Sequence, residues 1–187
     1  MVETVRIPQE RVAVLIGAGG VDKRRIEKAT ATVLTVDEDG LVEICASESY
    51  AEFIAKDVVK AVGRGFAPHD ALRLATGDYY LKIVDLKDIL GSENSVERQK
   101  ARIIGEEGKA RRMIEECSGA KMVVYGGTVS LVGLVDEVEL ASAAITHLLD
   151  GKPHSFVYTF LEHGKKRMKE KRIAHMWEPA SEKEAKK

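Results

Sequence analysis

Residues 11–39, RVAVLIGAGGVDKRRIEKATATVLTVDED, decide the fold, and they admit two readings. In the first, Val12 to Ile16 is a strand, and Gly17, Gly19 and Gly20 cradle a pyrophosphate. A second apolar run, Val33 to Val36, then ends at Asp37, about twenty residues after Gly17, where a dinucleotide fold places its ribose-binding acid. In the second, Val12 to Ile16 is a helix and the glycines turn the chain into another helix. The rest of the sequence separates the two.

The chain has 187 residues, enough for one large domain or two small ones. Its hydrophobic content of 44% is that of a globular protein. No apolar run approaches the roughly 20 residues of a membrane helix, so no membrane partner is expected. The start, MVETVRIPQERV, lacks the basic and apolar regions of a secretory signal. Cys45 and Cys117 form neither a disulfide framework nor a metal spacing. A reduced, cytoplasmic protein is expected, with both thiols free and buried as small apolar side chains. Lys and Arg number 29 against 30 Asp and Glu, a net charge of −1. Any nucleic-acid function must therefore come from local clusters. A single Asn (Asn94), two Gln (Gln9 and Gln99) and 32% charged residues fit a thermophilic source.

The chain repeats itself. LIGAGGVDKRRIEKATATVLTV from Leu15 lies over IIGEEGKARRMIEECSGAKMVV from Ile103, at an offset of 88. Ile16, Gly17, Gly20, Arg24, Ile26 and Glu27 match Ile104, Gly105, Gly108, Arg112, Ile114 and Glu115. Val33 and Leu34 fall beside Lys121 and Met122, a looser match. Beyond the next turn the offset becomes 87, and DGLVEI meets GGTVSL. A period this long is two similar domains rather than a solenoid.

Periodicity predicts the elements of each copy. In the first, TVRIP is a strand ended by Pro8, and QERVAVLIG is a helix running into the glycine turn. DKRRIEKAT is a short helix with Asp22 placed to cap it. TVLTV and LVEI are strands joined by DEDG, where Asp39-Gly40 is a hairpin signal. SESYAEFIAKDVVKAVGRG is an amphipathic helix, capped by Ser47 or Ser49 and ended by Gly63 or Gly65, with Phe53, Ile54, Val58 and Val62 on its apolar face. In the second, YYLKIVDL is the strand, SVERQKARIIG and GKARRMIEECSG the helices, KMVVY-GG-TVSLVG the hairpin, and VDEVELASAAITHLLDG the long helix. Each copy reads β-α-α-β-β-α, an α+β fold with a three-stranded antiparallel sheet packed on helices. APHDALRLATG links them, with Pro68 starting a helix. The boundary falls at residues 76 and 77, giving units 1–76 and 77–187, the second with an extra C-terminal helix.

This order removes the nucleotide reading. A dinucleotide unit needs parallel strands joined by crossovers, whereas here the second and third strands meet in a tight turn. Gly19 becomes Glu107 in the second copy, so only Gly17/Gly20 and Gly105/Gly108 are shared. Two glycines bracketing two residues let another backbone approach closely. The helix that follows aims its free N–H groups and positive dipole end at the same space, which suits a phosphodiester. Lys23, Arg24, Arg25 and Lys28 in copy one, and Lys109, Arg111 and Arg112 in copy two, supply the sequence-independent attraction.

At these residues the chain resembles a known family. LIGAGGVDKRRIE and IIGEEGKARRMIE look like the Ile-Gly-x-x-Gly core of type I KH domains, which clamp about four single-stranded nucleotides. GFAPHDALRL with YYLKIVDL, and GKPHSFVYTFLEHGKKRMKEKR, are similar to the junction and tail helix of archaeal two-KH ribosome-biogenesis proteins, the partner-of-Nob-one or Dim-two family. The resemblance implies two tandem type I KH domains and binding near the 3′ end of small-subunit ribosomal RNA during maturation. It implies as partners the Nob-one endonuclease and the alpha subunit of initiation factor two. The RNA-binding candidates are Gly17, Ala18, Gly19, Gly20, Lys23, Arg24, Arg25, Lys28, Gly105, Glu106, Glu107, Gly108, Lys109, Arg111 and Arg112. Lys165, Lys166 and Arg167 in the tail helix are auxiliary basic candidates.

Two departures stand out. Loops of this family usually carry basic or small residues between the glycines, and the second copy carries Glu106 and Glu107. In the first, Val21 rather than Lys follows the second glycine. The two loops are weighted equally. No catalytic constellation appears, and an aromatic content of 5% argues against a stacking platform. His147, His154, His163 and His175 are too scattered for a metal site. No metal, cofactor or enzymatic activity is expected. The alternative is a KH-based protein-interaction scaffold in ribosome assembly or translation initiation, with little direct RNA binding. Trp177 packs back on the domain or anchors a partner, and ASEKEAKK is read as a mobile end.

Overall fold

The computed structural model describes residues 2–177. β1 (Val2–Arg6) leads through Ile7 and Pro8 into α1 (Gln9–Ile16). One 3-10 turn (Ala18–Gly20) separates it from α2 (Val21–Thr30). The hairpin β2 (Val33–Val36) and β3 (Leu41–Cys45) follows, then α3 (Ser49–Gly63). A connector holds α4 (Pro68–Ala71), with its proline in the first turn, and a 3-10 helix over Leu72–Thr76. The second half repeats the order: β4 (Tyr80–Asp85), α5 (Leu86–Leu90), α6 (Glu93–Ile104), a 3-10 turn (Glu106–Gly108), α7 (Lys109–Ser118), β5 (Lys121–Tyr125), β6 (Thr128–Gly133) and α8 (Val135–Leu149). α9 (His154–Trp177) ends the described chain.

The strands form two three-stranded sheets, ordered β1-β3-β2 and β4-β6-β5, and every pairing is antiparallel. Strand alternation sets which face is buried. Leu34, Val42 and Ile44 turn inward onto Leu15, Ile26, Val58 and Val62. The second sheet places Met122, Val129 and Leu131 against Ile103, Ile114, Ile145 and Leu148, with Val157 and Leu161 of α9 closing that core. Each such fully buried side chain contributes about 1.5–3 kcal/mol.

The sheets differ in their outer faces. That of the first is open to solvent at Val33, Leu41, Glu43 and Cys45. That of the second lies on the first half, so β6 is buried along its whole length. Val132 belongs to the first half's core, with Tyr79, Leu81 and Val123 packed beside it. Gly65 makes room for this contact, since a Cβ there would stand 2.8 Å from Val123 Cγ1. Arg11 stiffens the same region: its Nε donates to the Val62 carbonyl at 2.9 Å and its Nη2 to the Phe66 carbonyl at 2.7 Å. The Tyr125 hydroxyl donates to Glu10, and this bond pushes its pKa up.

Several sequence expectations need correction. Asp22 does not cap α2: Gly20 holds that position in a left-handed conformation, without a side-chain cap. Neither Ser47 nor Ser49 caps α3, whose N-cap is Glu48. Phe53 is 57% exposed, because it falls outside the α3 stripe set by Ala55, Val58, Val59 and Val62. YYLKIVDL is not all strand, since Asp85 caps the unforeseen short helix α5 by accepting from Lys87 N at 2.9 Å. Cys45 is exposed, because it sits on the outward phase of β3. Cys117 is buried as expected, and burial pushes its thiol pKa up. The expectations for the side chain of Trp177 and for residues 180–187 lie outside the described residues.

A thiol count checks the two cysteines. Maleimide labelling of the native protein at neutral pH should modify Cys45 alone, and labelling in denaturant should modify both, read by intact mass.

Candidate nucleic-acid interface

The two glycine turns have one geometry. Gly17 has φ 71° and ψ 173°, and Gly105 has φ 73° and ψ 172°. Gly20 (76°, 18°) and Gly108 (75°, 16°) agree as closely. In each turn the second glycine's N–H donates to the first one's carbonyl at 3.1 Å. The first glycine of each pair is a packing requirement. A Cβ on Gly17 would overlap the Asp22 carboxylate, and one on Gly105 would stand 2.7 Å from the Ala110 Cβ. The loop's outer positions are open: a Cβ on Gly19 would meet nothing within 4 Å. α2 and α7 begin with no side-chain cap: the turn itself takes the first N–H of each, Val21 N donating to the Ala18 carbonyl and Lys109 N to the Glu106 carbonyl, and the positive end of each helix faces an exposed loop.

Edge strands stand beside these helices. β2 and β5 are the outer strands of their sheets. Glu27 Oε1 accepts from Leu34 N at 2.9 Å, and Glu115 Oε1 accepts from Met122 N at 2.9 Å. The repeated carboxylate thus ties each helix to its strand. It also explains the loose sequence match there: Leu34 and Met122 are the buried partners, while Val33 and Lys121 both face outward.

The candidate cations divide into two groups. Lys23 pairs with Glu27 at 3.6 Å, Arg111 with Glu115 at 3.4 Å, and Arg25 with Asp22 at 3.5 Å. Arg24 folds back on the loop, donating from Nη2 to the Gly19 carbonyl at 2.7 Å. Lys28, Lys109 and Arg112 are exposed and carry no ion pair among the described residues. Ala18, Glu106 and Glu107 are exposed at the loop tips. Lys165, Lys166 and Arg167 are exposed on α9, and they stand apart from the loops. Lys165 lies close enough to Cys117 to act on its thiol, and Cys117 is eight residues, about 12 Å, along α7 from Lys109.

Sequence reasoning missed one contributor. Arg73 of the connector lines a cleft of about 350 Å³ with Arg112, Lys121, Glu115 and Glu116. It is held over the Tyr79 ring at 5.0 Å. No local signal marks it, because tertiary folding alone brings the connector to α7. Two of the histidines serve structure: His147 meets the Phe160 ring edge-on at 4.8 Å, and His154 Nε2 bonds the Arg102 carbonyl at 2.9 Å. Among the described residues no group of His, Cys, Asp or Glu is arranged to hold a metal.

Comparisons agree with this geometry. Residues 80–166 match the eukaryotic-type KH domain (KH-domain type I) family. The chain is 41% identical over 185 residues to the KH domain-containing protein MJ0443 of Methanocaldococcus jannaschii, covering 97% of this chain and 81% of that one. It is 34% identical over 119 residues to the pre-rRNA-processing protein pno1 of Aspergillus fumigatus, covering 62% of this chain and 47% of the fungal protein. A chain of the a/eIF2alpha-aDim2p-rRNA complex from Pyrococcus horikoshii OT3 superposes with a TM-score of 0.83 at 43% identity, covering 89% of this chain and 95% of that one.

Two backbone positions provide a stability test. Among the described residues only Ala31 (φ 54°) and Glu107 (φ 49°) adopt the left-handed region without being glycine. At the offset of 88 their counterparts are Gly119 and Gly19, both at positive φ. Ala31→Gly and Glu107→Gly should each stabilise the protein by about 1 kcal/mol, raising Tm by about 2–4 °C in calorimetry.

Proposed function

The chain belongs to the PNO1/Dim2 family of KH-domain proteins, and from that premise we propose that it binds single-stranded RNA as a ribosome-biogenesis factor. The observation that carries this reading is the repeated loop: two Gly-x-x-Gly turns with matching backbone angles, each opening an uncapped helix beside an edge strand. On this reading residues 1–76 form a first type I KH domain and 77–187 a second. Phosphodiesters lie over Gly17 to Gly20 and Gly105 to Gly108, against the first-turn N–H groups of α2 and α7. Lys23, Arg24, Arg25, Lys28, Lys109, Arg111 and Arg112 supply the attraction, with Lys165, Lys166 and Arg167 as auxiliary contacts. The protein acts by binding, without catalysis, in the cytoplasm.

The RNA we assign is the 3′ end of small-subunit rRNA. The alpha subunit of initiation factor two enters as partner from the Pyrococcus complex, whose components are named with it. The Nob-one endonuclease enters on family resemblance. Glu106 and Glu107 favour a second reading, in which the second unit meets protein rather than RNA. Capture of the factor that survives nuclease treatment, with no measurable RNA affinity, would support it.

Exchange of the loop tips tests the first reading by fluorescence anisotropy on rRNA 3′-end oligomers. Ala18→Glu with Gly19→Glu gives the first loop the acids of the second. A carboxylate near a phosphate costs about 1 kcal/mol in a solvated site, so affinity should fall about 5- to 30-fold. Glu106→Ala with Glu107→Gly should raise it. Unchanged affinity in both variants, with unaltered circular dichroism, would sink the loop reading.

A further inference from the structure

One well-formed cleft belongs to neither loop. It has a volume of about 780 Å³ and lies between β1, the end of α3 and β4. β1 is the edge of the first sheet opposite β2, and β4 the edge of the second opposite β5. The cleft therefore opens on the sheet edges that face away from both loop grooves. Its lining includes the apolar Val5, Ile7, Pro8 and Ile83. Its rim carries Arg6, Lys56, Lys60 and Arg64. α3 crosses the end of β1 so closely that a Cβ on Gly63 would stand 2.6 Å from Ile7 Cγ2.

The rim holds four cations, two of them without an ion pair among the described residues. Lys56 is held by Glu3 at 2.9 Å, and Lys60 reaches Asp57 only at 4.0 Å. Burial pushes the Asp57 carboxyl pKa up, against the pull of Lys60 and Lys56. Arg6 and Arg64 are exposed and have no ion pair among the described residues.

The fold does not require these cations, as the second half shows. Arg6 ends β1 and pairs with Leu41, the first residue of β3; Asp85 ends β4 and pairs with Thr128, the first residue of β6. α3 and α8 both have 15 residues, so Lys56 and Lys60 correspond to Ser142 and Thr146. The C-cap residues Arg64 and Asp150 also correspond. Four cations in one half thus stand where the other half has two hydroxyls and two acids. In a chain of net charge −1, this concentration calls for an anionic ligand.

We propose that the cleft is a further RNA site, in which Arg6 and Arg64 clamp a phosphodiester while a base or ribose rests on Pro8 and Ile83. This rests on the reading of the chain as an RNA-binding protein. Guanidinium groups without protein partners offer paired donors that match phosphate oxygens. A volume of this order accommodates a ligand of nucleotide size. An extended acidic peptide fits less well, because Glu3 stands on the free edge of β1 and the unpaired charge is confined to one end.

The site predicts a dependence on RNA length. Arg6→Gln with Arg64→Gln neutralises two exposed side chains and should leave circular dichroism unchanged. For RNA of about 15 nucleotides, anisotropy should show about tenfold weaker binding and a salt slope shallower by about 0.7, the value for one phosphate on a single strand. For oligomers of about 5 nucleotides, which fill one loop groove, affinity should not move. Wild-type affinity and slope for the longer RNA in the variant would overturn the site while leaving the loop reading intact. A poly-glutamate peptide that binds the unaltered chain but not the variant, with RNA binding equal in the two, would overturn it in favour of a protein partner. Failure of the unaltered chain to bind either RNA would remove the loop reading and this site together.

Discussion

The candidate loops depend on a contact too close for a side chain on the first glycine. At Gly17 and Gly105 the chain leaves one helix and passes against the first turn of the next, at Asp22 and Ala110. A Cβ there would collide with the Asp22 side chain in the first turn and with Ala110 in the second. The second glycine falls into the left-handed region and the following helix begins without a side-chain cap. The turn takes the first helical N–H, and the positive end of the helix faces the open loop. Most helices satisfy first-turn N–H groups with a Ser, Thr, Asp or Asn side chain, which is worth about 1 kcal/mol. Here that stabilisation is forgone twice at equivalent positions, which fits a site kept open for an anion rather than a weakness of one helix.

Identical backbones carry different surfaces. The first loop has Ala18 and Gly19 at its tip, and the second has Glu106 and Glu107. Glu107 even accepts a left-handed conformation that glycine would adopt freely. The halves also differ in what their sheets meet. The second sheet is packed on both faces and the first on one. Through Tyr125 and Glu10 the edge strand of the second groove touches the helix that enters the first loop. The grooves are thus joined by a direct side-chain contact.

Periodicity and turn chemistry made the repeated elements legible. The antiparallel hairpins follow from Asp39-Gly40 and Gly126-Gly127, and they alone exclude a dinucleotide fold. The loop glycines were legible because they recur at the same offset. Other features needed the third dimension. Cys45 looks like a core residue by composition, but the phase of β3 turns it outward. Capping by Asp22 was a reasonable expectation from residue type, yet the Gly20 turn places Asp22 inside the helix, where it packs against Gly17. Arg73 and Arg64 carry no local signature, because what matters is the element that folding brings beside them.

The pairing of the loop cations reconciles near-neutral charge with an affinity for phosphate. Lys23 and Arg111 occupy equivalent positions and each bridges to the glutamate four residues on. That glutamate already accepts a backbone N–H from the edge strand. Exposed pairs of this kind contribute only about 0.3–0.5 kcal/mol, so a phosphate can draw the cation away at little cost. The carboxylate meanwhile keeps its backbone bond, and the strand stays in place. A single acid thus holds the groove wall and parks the cation without neutralising the site, so the glutamates of α2 and α7 belong to the binding surface rather than opposing it.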